Sequence, residues 1–152
     1  MSVYAAVKFL HVGAAVVLAG LLFSLLAASQ PLGSRDDDNG LHRYLDGLVG
    51  RNLTVALEVL GVLSAAGLSL ALLRGAGRSL AIKLILALAI AAILVYIRFR
   101  IQPETHRLLR RAGDGPQVPR PLLGPIESLR VRRRRLVTGC LFLEILAVLV
   151  AV

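Results

Sequence analysis

The sequence predicts an all-α chain, a polytopic membrane four-helix bundle, on three observations. Apolar residues fill 57% of its 152 positions, with a mean hydropathy of +0.75, well above the apolar share of a water-soluble domain. They cluster into four runs, approximately 3–28, 53–73, 80–97 and 136–152. Each run crosses or nearly crosses a hydrocarbon core of about 30 Å at about 1.5 Å per residue. Leu, Ala and Val dominate the runs without period-two alternation, which favours helices over a barrel. The chain therefore reads as a single integral membrane domain, 1–152.

The first run follows Lys8 and ends on Ala27, Ala28 and Ser29, as a cleaved signal would. It is longer than the roughly 7–15 apolar residues of a signal peptide, however, and reads as a helix. His11, Ala15 and Ala19 share one of its faces, and Gly13 and Gly20 another, where small residues let helices approach closely in lipid. Ser29 to Ser34 breaks the helix. The acidic stretch Asp36-Asp37-Asp38-Asn39-Gly40 lacks the distal glutamate of a calcium loop and reads as a solvated loop, with Asp38 or Asn39 capping the next helix. Leu41, Tyr44, Leu45, Leu48 and Val49 recur at helical spacing with His42, Arg43 and Asp46 between them. The pattern predicts an amphipathic interfacial segment or an inward extension of helix two.

In helix two, Glu58 shares a stripe with Gly61 or Val62, Ala65 and Ser69, so the carboxylate is expected to point into the bundle. Arg74 to Ser79 is short enough to make helices two and three an antiparallel hairpin. Lys83, Ala87 and Ala91 share a face of helix three. Pro103 ends or kinks that helix, and Glu104 to Arg111 continues as a short basic helix closed by Gly113. The proline-rich stretch Gly115 to Pro125 is expected to be irregular, with a helix starting at Pro125 and running through the arginines into helix four. There Cys140, Glu144, Ala147 and Ala151 form a stripe.

Charge sets the expected orientation. Of 18 Lys and Arg against 9 Asp and Glu, eleven lie between Ile97 and Leu136, and three more, Arg35, Arg43 and Arg51, lie in the other loop on the same side. Only Lys8, Arg74, Arg78 and Lys83 fall opposite. By the positive-inside rule the arginine-rich side is cytoplasmic and both termini lie outside, as in a bacterial inner-membrane protein. The run Arg130, Arg132, Arg133, Arg134 and Arg135 abuts a span and has no interleaved aromatic, which argues for anionic lipid headgroups as partner and against nucleic acid.

One cysteine, Cys140, excludes an internal disulfide and any Cys-x-x-Cys site. With Met1 the only methionine, soft copper sites lack ligands as well. No recognised catalytic signature is present, which leans against an enzyme. Ionisable groups within the spans carry the functional candidates, because each costs about 2.5–3.5 kcal/mol at a helix centre. Glu58 and Glu144 both lie in the inner half, where they either meet as a proton- or cation-binding pair or act singly as packing groups. His11 lies in the outer half, across the membrane from His42 and His106. It is either a helix-packing hydrogen-bonder or, by elimination among His11, Lys83 and Cys140, the donor nearest any cofactor. Lys83 either snorkels to the interface or supplies a second ligand.

The spacing from His11 to Gly20 followed by Leu21-Leu22-Phe23 resembles the first-helix signature of small four-helix membrane proteins of the HemJ (protoporphyrinogen oxidase) and CopD-like type. The resemblance implies a four-helix bundle with its first-helix histidine in the outer half and, in the HemJ branch, binding of haem, here haem b. Three functions follow as expectations: a membrane protein binding haem b or another redox cofactor through His11; a non-catalytic accessory subunit or scaffold, as a homo-oligomer or within a larger complex; and a proton-coupled or cation carrier using Glu58 and Glu144.

Overall fold

The computed structural model describes residues 3–30, 38–74, 78–113 and 115–149. The expected turn at 75–77, the break at 31–37 and the last residues of the fourth run lie outside them. Helices make up most of these segments: α1 (Val3–Ala28), α2 (Asn39–Arg74), α3 (Arg78–Tyr96), a π turn (Ile97–Ile101), α4 (Gln102–Arg111) and α5 (Arg120–Leu149). The four long helices pack as corners of a square, α1 beside α2, α2 beside α3, α3 beside α5 and α5 beside α1, with α1 diagonal to α3.

Three stretches are long and apolar enough to cross a membrane, Val3–Ala28, Asn39–Leu73 and Leu80–Arg111. The described part of the fourth apolar run, 136–149, forms the C-terminal half of α5 and carries Glu144. About a fifth of each crossing stretch is buried within the chain, and Phe9, Phe23, Leu72, Ile85 and Phe142 stand exposed. Outer faces as apolar as inner ones suit a lipid solvent, whereas water would select polar residues there.

The core is a ladder of leucines and alanines. On α1 the inward stripe is Ala14, Leu18, Leu22, Leu25 and Ala28, and all but Ala14 share one core cluster with Leu53, Ala56 and Leu60 of α2, Ile90 and Leu94 of α3 and Ile97 of the π turn. A Cβ on Gly13 or Gly20 would meet nothing within 4 Å, so the expectation of close helix approach there is corrected. The close approach lies instead at Gly67 of α2, where a Cβ would come 3.2 Å from Cε1 of His11.

Helix ends follow the local chemistry. Asp38 caps α2, its Oδ1 accepting from the backbone N–H of Gly40 at 2.8 Å and of Leu41 at 3.4 Å, as an N-cap aspartate does. Helix α2 is unbroken from there, so the segment after the cap is an extension of the span and not a separate interfacial helix. Pro103 lacks an N–H to donate, and the chain accommodates it with the π turn just before, where the Gln102 N–H bonds the Ile97 carbonyl one residue beyond α-helical register. Gly113, at φ +73°, closes α4, a conformation that favours glycine.

The irregular stretch expected up to Pro125 is corrected, because α5 starts at Arg120 and carries Pro125 inside it. A proline in a helix interior costs about 3 kcal/mol. Pro125 stands close to the helix start, and the turn around it seats Ile126 against Leu109 and Val118 in a small second core with Leu122 and Leu123. Fully burying one such side chain is worth about 1.5–3 kcal/mol, enough to offset the proline.

Candidate functional site

At the arginine-rich end of the bundle, polar side chains from four helices converge away from solvent. The inner arm of α2 turns Asn39, His42, Asp46 and Val49 inward and leaves Tyr44 outside. Of the expected amphipathic face, Val49 is buried and Leu45 and Leu48 pack against the core as their spacing predicts, but Tyr44 is outside, and His42 and Asp46, expected between the packing residues, are buried beside them. The partners explain their burial: α4 brings Gln102, and α5 brings Arg130 and Arg133, both 1% exposed.

Arg133 organises the cluster. Its Nε donates to Ser29 Oγ at 2.8 Å, and that hydroxyl donates to the Leu25 carbonyl at 2.6 Å. Its Nη1 donates to Gln102 Oε1 at 3.4 Å. The Gln102 amide passes the polarity on, with Nε2 donating at 2.9 Å to both the backbone carbonyl and Oδ1 of Asp46. His106 Nδ1 closes the chain on Asp46 Oδ2 at 3.3 Å. Arginine and carboxylate thus communicate through a glutamine.

Burial dominates the electrostatics here. It pulls the Arg133 guanidinium down to about 10, against the attraction of Asp46. Arg130 is lowered by burial too, with Glu127 and Asp46 opposing. Its Nε and Nη1 have no hydrogen-bond partner among the described residues.

Beside the cluster an open groove of about 1030 Å³ runs between α2 and the π turn with α4. Thr54, Arg51, Arg98 and Phe99 line one end, Gly47, Gly50, Gln102 and Pro103 the middle, and Arg43, Arg110 and Gly113 the other end, with Asp46 and His106 between. The far end is held by the loop after α4. Asn39 Nδ2 donates to the Gly113 and Gly115 carbonyls at 2.9 Å each, and Arg43 Nη2 donates to the Gly113 carbonyl at 2.6 Å.

The structure distributes the expected site residues unevenly. His11 is half-buried against α2, its Nδ1–H donating to the Leu63 carbonyl at 3.2 Å, which satisfies its packing role. Lys83 is half-buried on α3, diagonal to α1, so the chain does not pack the two expected cofactor ligands together. Glu144 is inward-facing in line with Arg130, Arg133, Val137 and Cys140, as its stripe predicted. Neither of its oxygens has a hydrogen-bond partner among the described residues. Glu58 is exposed, together with Gly61, Val62, Ala65 and Ser69. That corrects the inward reading of the α2 stripe, and the carboxylate pair is not formed. The headgroup set is divided likewise: Arg132, Arg134 and Arg135 are exposed, whereas Arg130 and Arg133 are too buried to reach lipid. Arg132 rests on Tyr96, Nη2 donating to the phenol oxygen at 2.6 Å with the guanidinium 5.5 Å from the ring centre.

Among the described residues no three His, Cys, Asp or Glu side chains group as metal ligands. The groove arginines and the Ser29–Gln102–Asp46 connection were not singled out from sequence. The available signal was a second periodicity, Asn39, His42, Asp46 at i, i+3, i+7 and Gln102, His106 at i, i+4, polar faces that require a polar partner. Compared with known proteins, the chain matches no family model, no curated protein and no solved structure.

Proposed function

We propose that this is a four-span integral membrane protein of a bacterial inner membrane, both termini outside, that works as a non-catalytic accessory subunit or scaffold. Its inner end is a rigid cationic platform at the level of anionic headgroups. The observation supporting this is the buried connection from Ser29 through Arg133 and Gln102 to Asp46 and His106. It joins α2, the short α4, α5 and the residue after α1 at one end of the bundle, the part that otherwise frays. With that end fixed, Arg132, Arg134 and Arg135 present their charge from set positions, each worth about 1 kcal/mol against an anionic surface. The test compares unfolding in nanodiscs of anionic and of zwitterionic lipid for the wild type and for Arg132→Gln/Arg134→Gln/Arg135→Gln. The wild type should gain stability in anionic lipid and lose that gain in high salt, and the triple variant should gain measurably less. An undiminished gain in the triple variant would sink the platform.

A second reading, haem b on His11, is favoured by one observation. Because Nδ1 donates to the Leu63 carbonyl, Nε2 keeps its lone pair, the arrangement that orients a metal-binding histidine. Protein purified in detergent would then show a Soret band that His11→Ala abolishes. Colourless wild-type protein would end this reading and leave the platform untouched.

A further inference from the structure

The groove between α2 and α4 has the chemistry of a binding site that the exposed arginines of α5 do not share. Arg51, Arg98 and Arg110 line it, and none of the three makes a hydrogen bond or ion pair with any described residue. Arg98 reaches across to α2, its Nη1 standing 3.8 Å from where a Cβ on Gly50 would be. Among the described residues the one carboxylate in the lining is Asp46, whose oxygens are already taken by Gln102 and His106. Among the described residues the groove therefore gathers more positive charge than Asp46 balances, an arrangement that stabilises an anion bearing several acceptor oxygens, above all a phosphate.

Its ends differ in character. The Thr54 and Phe99 end lies where the apolar run of α2 begins at Leu53, and Phe99 is 70% exposed. Beyond it Val55, Val95 and Tyr96 continue the apolar surface of α2 and α3. Arg43 lies eight residues from Arg51, about 12 Å further along the helix axis from the apolar end. A soluble phosphate would occupy only the charged part and leave Phe99 bare. A phospholipid would use the whole length, its acyl chains on the apolar surface and its head along the arginines.

We propose that this groove binds an anionic phospholipid, one phosphate between Arg51 and Arg98 and the rest of an extended acidic headgroup reaching toward Arg110. The site rests on the inner end facing headgroups, as proposed above, but uses residues distinct from the α5 arginines. Gly47 and Gly50 give it depth. A Cβ on Gly47 would meet nothing within 4 Å, so a larger side chain there starts into open space and takes up room in the groove.

The experiment uses full-length protein in phosphatidylcholine nanodiscs and follows the thermal midpoint as a few mole per cent of diphosphatidylglycerol are included. The wild type should show a rise that Gly47→Leu and Arg51→Gln/Arg98→Gln each cut by at least half, while both variants keep a cooperative transition without the anionic lipid. A full rise in Gly47→Leu overturns the groove. If Arg132→Gln/Arg134→Gln/Arg135→Gln then abolishes that rise, the platform survives the groove's failure. Soluble inorganic pyrophosphate is the control for source. An equal rise from it would overturn the lipid assignment in favour of a free phosphate ligand.

Discussion

Arg133 is placed where its loss would be felt most. It is fully enclosed, bonds Ser29 and Gln102, and stands in one stripe with Arg130, Val137 and Cys140, whereas its neighbour Arg134 is exposed. Removing one member of a buried polar network leaves the others desolvated and unpaired, at a cost of about 3–5 kcal/mol. Exposed substitutions away from such features fall within about 0.5 kcal/mol. Arg133→Met, which keeps most of the volume, is therefore expected to destabilise by about 3 kcal/mol or more, and Arg134→Met by less than about 0.5 kcal/mol. Unfolding of the two variants in detergent micelles measures the difference. Equal midpoints would mean that the network contributes no stability. Both residues belong to one arginine run, and nothing in that run's composition separates them. Only their position around the helix does, because Arg130, Arg133 and Val137 follow the helical repeat that Arg132 and Arg134 break.

Among the elements, the apolar spans were the most legible. In lipid the backbone must satisfy its own hydrogen bonds, so a long apolar run has few conformations open to it. The cap at Asp38, the chain around Pro103 and the glycine close at Gly113 could also be read locally, since each depends on one side chain or one backbone angle. The inner arm of α2 could be read only in part. Leu45, Leu48 and Val49 pack as their helical repeat predicts, but that repeat taken alone would leave His42 and Asp46 outside. The outcome instead turns on Gln102 and Arg133, some sixty and ninety residues away, which make it cheaper to bury Asp46 than to expose it. The α5 start was misread for a related reason: Pro121 and Pro125 speak against a helix locally, and Ile126 outweighs them only because Leu109 and Val118 are there to receive it. Glu58 and its stripe of small residues show the same limit. Small side chains mark where helices can approach, and the neighbours of α2 approach its Leu53, Ala56 and Leu60 face instead.

At the scale of the molecule, the two ends of the bundle differ in what holds them. The outer end is held by apolar packing and by His11 on Gly67. The arginine-rich end is held by a polar cluster with a second small core beside it, and by sequence fourteen of the eighteen basic residues belong to its side against four on the other. The positive-inside rule counts charges as the chain is inserted, before the bundle closes, so Arg130 and Arg133 contribute to orientation even though the finished structure hides them. Exposed positions on the two sides can report the result. Pro119 is exposed in the loop before α5, and Lys8 is exposed near the start of α1. In a background with Cys140→Ala, Lys8→Cys should react with a membrane-impermeant maleimide added to sealed cells, while Pro119→Cys should react only after the membrane is opened. Labelling of Pro119→Cys in sealed cells would invert the orientation. It would also move the groove's arginines to the outer leaflet, where the headgroup partners proposed for both the platform and the groove would have to be sought.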